Sequence, residues 1–212
     1  MSTYVQLAEF KQYFPITFPS GSSGSSADDT TLQQSLDRAE GEFNRIADTN
    51  FNQQTLVNEY PTRAWVDRNG MVTISARTTA PITSVTSIQY LLPPIPTWQS
   101  LSWDPANGIF LPDPSDPPRQ WAWQVQVLPL GTPLMLQAAD NIFFRWSYTG
   151  GYASPPSTLK ALILRMAMFL YKLREAPLGR LNSQPGMMSQ PAIIRWPDDL
   201  QRSILVWQRP AV

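Results

Sequence analysis

Apolar positions in this chain follow two periods, and the change of period divides it. In "DTTLQQSLDRAEGEFNRIAD", residues 29–48, Leu32, Leu36, Ala39, Phe43 and Ile46 form one continuous stripe that predicts an amphipathic helix. A shorter helix is predicted over 3–14, where Val5, Leu7, Phe10 and Phe14 are the apolar positions and Pro15 is the stop. The connection "PSGSSGSSADD" between the two is of the flexible Gly/Ser type. From about 55 to 148 the period becomes two, with β-branched and aromatic residues. "TLVNEY", "AWVD", "MVTISA", "ITSVTSIQYL", "WAWQVQVLP" and "NIFFRWSY" read as strands, and "DRNG" as a hairpin turn. The proline-rich stretch 92–119 within this region reads as a long loop, a functional or interaction arm.

Helical period returns in "TGGYASPPSTLKALILRMAMFLYKLREAPL", which predicts a helix over about 156–175, opened by Pro155 and Pro156 and closed before Pro177. Leu159, Leu162, Ile163, Met166, Phe169, Leu170 and Leu173 fall in one arc, the expected core contact. Leu164, Met168 and Tyr171 form a second, narrower strip beside Arg165 and Lys172. A neighbouring subunit or the chain's own β-region would equally explain that strip. A membrane span is excluded, because Lys160, Arg165, Lys172 and Arg174 interrupt the run and a central arginine alone costs roughly 2.5–3.5 kcal/mol on insertion scales. Residues 176–212 read as an extended tail ending in a short helix, "PDDLQRSILVWQR", with Pro197 at its first position and Leu200, Ile204 and Trp207 on one face.

Composition narrows the chemistry. The chain has 212 residues, enough for a real core in one domain. With 42% apolar and 15% charged residues, 21 prolines and eight tryptophans, its surface is rich in neutral polar groups and proline, which suits contact with protein. Cysteine and histidine are absent, which removes disulfides, thiolate nucleophiles, the commonest general base and the commonest metal ligands. The net charge is zero, but residues 1–150 carry eight Lys/Arg and thirteen Asp/Glu (8 − 13 = −5), and residues 151–212 eight and three (8 − 3 = +5). Opposite-sign ends favour head-to-tail contact between copies or docking on an acidic partner; two solvated faces of one domain would look the same. The start "MSTYVQLAEF" has neither a basic cluster nor an apolar run, so no signal peptide is expected.

Residues that could carry chemistry have simpler explanations. The acidic pairs Asp28–Asp29 and Asp198–Asp199 stand at predicted helix starts, where they favour the helix dipole. "YTGGY" lacks the rest of a dinucleotide fingerprint and reads as a turn between strand and helix. Trp98, Trp103, Trp121 and Trp123 could form a sugar-binding platform, yet "WAWQVQV" places Trp121, Trp123, Val125 and Val127 on one face, the pattern of a core strand. No catalytic residue, metal ligand or cofactor is expected.

Taken in order, these elements resemble the head-to-tail connector (head completion or adaptor) proteins of tailed bacteriophages. The matching pieces are "LAEFKQYF", "LQQSLDRAEGEFNRIADTNF", "ISARTTAPITSVTSIQY", "FFRWSYTGGYASPPSTLKALILRMAMFLYKLRE" with its Tyr171, Arg174 and Glu175, and the closing "WPDDLQRSILVWQRP". The Gly/Ser connection at 20–26 and the insertion at 92–119 depart from the pattern.

The resemblance implies an α+β fold, mainly a helical bundle of two long and two short helices with a small inserted antiparallel β-region. Residues 1–175 would form a single connector domain and 176–212 the tail. It further implies a structural virion protein, not an enzyme, docked as a ring, usually of twelve copies, under the portal protein at the head-tail junction. DNA would pass through non-specifically, the next connector or tail protein would follow, and the host cytoplasm would be the place of assembly. Portal contact would fall to Ile193, Ile194, Trp196, Leu200, Ile204, Trp207 and Arg209 of the tail, and subunit contact to Leu164, Arg165, Met168, Tyr171 and Lys172. A stopper or tail completion ring is the nearest alternative. A carbohydrate-binding module using Trp98 or Trp103 is an alternative of another class.

Overall fold

A computed structural model describes residues 4–13, 26–112, 123–131, 142–175 and 196–209. The chain divides into two compact units, one of residues Met1–Ile46 with Ser157–Val206, the other of Ala47–Pro156 with Trp207–Val212.

The first unit is helical. Helix α1 (Leu7–Tyr13) starts where the Gln6 N–H donates to Glu9 Oε2 at 2.9 Å, so a first-turn carboxylate satisfies a backbone donor that the helix itself cannot. Tyr4 precedes it, buried, with its ring edge-on to Phe43 at 6.2 Å and its hydroxyl donating to Asn44 Oδ1 at 2.8 Å. Helix α2 (Ser26–Ala47) buries Leu32, Leu36, Ala39 and Phe43, the stripe read from its period. Helix α3 (Ser157–Glu175) buries Leu159, Leu162, Ile163, Met166, Ala167 and Leu170, whereas Leu173, expected in the same arc, is 40% exposed near the helix end. Helix α4 (Asp198–Leu205) buries Leu200 and Ile204, and Pro197 is its N-cap rather than its first residue. Arg165 of α3 pairs with Asp199 of α4, and Phe169 lies 5.5 Å from Trp196, so the terminal helix is fastened to α3 by a charge and a ring.

The second unit is made of two antiparallel sheets. The strands are β1 (Gln54–Glu59), β2 (Arg63–Val66), β3 (Val72–Ser75), β4 (Ile82–Leu91), β5 (Gln99–Ser100), β6 (Ile109–Phe110), β7 (Gln124–Val127) and β8 (Phe143–Gly150). Their orders are β1-β8-β4-β5 and β2-β3-β7-β6. The Asp67–Gly70 turn joining β2 to β3 is closed by Asp67, whose Oδ1 accepts from the N–H groups of Asn69 and Met71, both at 2.8 Å. Inward residues of both sheets, among them Val72, Ile74, Ile88, Val125, Val127, Phe144, Trp146 and Tyr148, form one apolar core. At the end of β8, Gly151 has φ +87° and a Cβ there would lie 2.2 Å from Asn52 O; the glycine turn of "TGGY" is a steric requirement.

This corrects the expectation of a mainly helical bundle with a small inserted β-region. Among the described residues the strands form two four-stranded antiparallel sheets that hold a core of their own. The physical reason is that period-two segments expose an apolar face on every strand, and two such sheets bury those faces against each other without a helix. Part of the discrepancy comes from residues 92–119, expected as a loop. Its part up to residue 112 supplies β5 and β6, buries Leu101, and is tied down by the Leu101 N–H to Ile88 O (2.9 Å) and the Leu130 N–H to Ser102 O (2.8 Å), while 113–119 lie outside the described residues.

Candidate functional site

Among the described residues no cluster of metal-ligating side chains is present. No group of three Asp, Glu, His or Cys side chains converges there, and no helix is long and apolar enough to cross a membrane. Two surface grooves among the described residues have volumes of about 270 and 400 Å³; Phe110, Leu111, Pro112, Gln124 and Gln126 line one, and Val85, Leu101, Ser102, Trp103 and Pro105 the other, without a titratable side chain in either lining. Tyr148 is buried in the sheet core, and burial foremost, then the Glu59 carboxylate, pushes its phenol far above the usual range, so it offers no nucleophile.

The tail residues expected to meet a portal are held by their own chain. Trp196, Leu200, Ile204 and Trp207 are all buried, while Ile193 and Ile194 lie outside the described residues. Trp207 joins an aromatic cluster around Phe51, which also meets Trp123 edge-on at 6.3 Å and stacks on Tyr152 at 6.5 Å. Arg209 closes the end of α2: its backbone N–H donates to Ala47 O at 3.1 Å, its guanidinium to Arg77 O at 2.7 Å and to the Asp48 carboxylate. A cation at the carbonyl end of a helix is favoured by the dipole, which gives this arginine a structural role. Between these anchors, Leu205 and Val206 are 51% and 55% exposed. They are the accessible apolar residues of the segment, and the amphipathic pattern that singled out Leu200, Ile204 and Trp207 did not mark them.

Of the strip expected at a subunit interface, Leu164 and Tyr171 are buried within the single chain, and Arg165 is half-buried in its pair with Asp199. Met168 is half-buried and Lys172 exposed.

Of the four tryptophans considered for a platform, Trp98, Trp103 and Trp123 are within the described residues and each is at least half-buried. Trp103 is half-buried and packs against the sheet core, its backbone bridged to Pro129. Trp98 has the Arg145 guanidinium 4.4 Å above its ring and Tyr60 edge-on at 6.1 Å, so one ring face is already occupied. Arg145 is fixed by donating from Nε to Gln89 Oε1 at 2.6 Å, its register partner across β8 and β4. Trp123 is core, donating to Thr49 Oγ1 at 3.0 Å, and Trp121 lies outside the described residues.

No protein-family model matches the chain, and no curated protein matches it. Among solved structures it resembles a chain in the neck of an empty gene transfer agent particle computed with C6 symmetry, at TM-score 0.55 and 18% identity over 99% of this chain and 92% of that one. A chain of the native gene transfer agent virion aligns at TM-score 0.48 and 15% identity (99% and 92% covered). One from the native neck computed with C12 symmetry aligns at 0.45 and 13% (99% and 91%). The first likeness establishes a shared fold along nearly the whole chain, sheets included, and on that level the connector resemblance read from the sequence holds.

Proposed function

We propose that this chain is a structural protein of a virion neck, assembling as a ring that docks under the portal and continues the DNA channel toward the tail. The observation that carries this reading is the fold shared over 99% of the chain with a component of a gene transfer agent neck, a particle part computed with C6 symmetry. A ring built by one repeated rotation needs two different, complementary surfaces on each copy. The −5 and +5 charge balances of residues 1–150 and 151–212 suit that requirement. In this reading the segment from Ile193 to Arg209 contributes to portal contact, with Leu205 and Val206 presenting apolar surface while Trp196, Leu200, Ile204, Trp207 and Arg209 hold it in shape. Met168 and Lys172 present the accessible part of the α3 strip to a neighbouring copy, with Leu164, Arg165 and Tyr171 behind them.

The test is the mass of the purified chain, alone and mixed with the portal of the same particle, by native mass spectrometry. The expected result is a species with many copies of this chain when portal is present. A chain that remains monomeric and does not bind the portal ring overturns the reading.

A further inference from the structure

The outer face of the β1-β8-β4-β5 sheet carries a group of side chains that neither the sheet core nor the terminal segment uses. Register places Phe143 opposite Leu91 and Arg145 opposite Gln89, so these four share one face, while Phe144 and Tyr90, opposite each other, enter the core. Phe143 is 53% exposed and Tyr60, which meets the edge of Trp98, is 57% exposed. At the centre Trp98 supports the Arg145 guanidinium, and Gln89 holds its Nε. Among the described residues no acceptor meets its two terminal nitrogens. A planar guanidinium fixed on a ring, with parallel donors unmet by the described residues and aromatic residues at its rim, has the composition of an interface hot spot.

We infer that this face is a docking surface for a second copy of the chain, with Arg145 receiving a carboxylate from its neighbour. The inference rests on the ring reading above. Charge complementarity favours a copy of this chain: Asp198, exposed at the start of α4, makes no ion pair among the described residues, whereas its neighbour Asp199 is paired with Arg165. Arg145 and Asp198 would thus supply the two different halves that a heterologous contact requires. The apolar rim of Tyr60, Leu91 and Phe143 favours protein over a nucleic-acid phosphate, which would be bound by several cations rather than one.

Self-association of the full chain, with portal present if portal is needed, is the measurement, with melting temperature as the control for folding. Arg145→Glu is expected to weaken association about 30-fold or more without lowering the melting temperature, Arg145→Lys to weaken it less, and Arg145→Glu combined with Asp198→Arg to recover part of the loss. If Arg145→Glu impairs folding, Asp198→Arg alone, at an exposed position, is expected to show the same weakening. Rings that form equally well from the parent, Arg145→Glu and Asp198→Arg overturn this inference and leave the ring reading standing. Rings that form equally well but lose retention of duplex DNA overturn it in favour of a phosphate contact. A parent chain that never associates overturns both.

Discussion

Trp207 meets Phe51 edge-on, with ring centroids 5.3 Å apart, so a residue five positions before the last of the sequence is fixed to one near the start of the sheet unit. The contact lies in an aromatic cluster with Trp123 and Tyr152, and both Phe51 and Trp207 are nearly inaccessible. The terminal segment is thus a structural part of the fold, whatever it also meets outside.

Trp207→Ala removes this contact from a closed cluster. The expected cost is about 3–5 kcal/mol, read as a lowered midpoint in chemical denaturation. Deleting residues 196–212 is expected to destabilise at least as much. A truncated chain that melts with the parent would show the cluster to be dispensable.

Arg209→Ala leaves the Arg77 carbonyl and the end of α2 without their guanidinium partner, though the backbone N–H to Ala47 O remains. A loss of about 1–2 kcal/mol is expected, mostly from the carbonyl contact, because Asp48 is largely exposed and water screens that pair. Arg209→Lys is expected to recover only part of it, since an ammonium cannot reach both acceptors in the guanidinium geometry. Thermal melts of the two variants side by side test the point.

Leu164 and Met168 separate fold from assembly. Leu164→Glu places a charge at a buried site and is expected to cost about 3 kcal/mol or more. Met168→Glu, at a half-buried site, is expected to change stability by no more than about 1 kcal/mol while weakening self-association. Melting and sedimentation of the same samples distinguish these effects; unchanged association in Met168→Glu would remove α3 from the interface.

Glu9 gives a pH dependence of known sign. Its carboxyl is held below its ordinary value of 4.5, first by the hydrogen bond from Lys160 at 2.8 Å and then by the Gln6 N–H. A depressed folded-state value stabilises the fold above pH 4.5, and that contribution is lost as pH falls through the lower folded value. Glu9→Gln is therefore expected to melt slightly below the parent at pH 7 and to converge with it under acid conditions. The difference is small because both partners of the ion pair are about one-third exposed or more. Parallel melts across that range would show it.

Among the described residues, periodicity made the four helices and six of the eight strands legible, because a one-sided helix or strand writes its buried face into local spacing. The "TGGY" turn was legible from its paired glycines, but that a Cβ at Gly151 would collide with Asn52 O is set by the fold. Strands β5 and β6, two residues each inside a proline-rich stretch, leave no period to read, and exist because β4 and β7 offer them an edge. That same dependence on partners distant in sequence hid the balance of the fold. Each strand announced its apolar face, but only the pairing of β8 with both β1 and β4, and of β3 with β2 and β7, made two sheets around one core.

The candidate surfaces divide in the same way. Sequence determined that Leu200, Ile204 and Trp207 share a face, that α3 carries two apolar strips, and that histidine and cysteine chemistry is absent. Tertiary structure alone decided what those faces meet: Trp207 finds Phe51, Leu164 is buried while Met168 is only half so, and Arg145 lies over Trp98, 47 residues away in the chain (145 − 98). Local spacing fixes which way a side chain points from its own element. What stands in front of it depends on loop closures and strand pairings between distant residues, which no local pattern encodes.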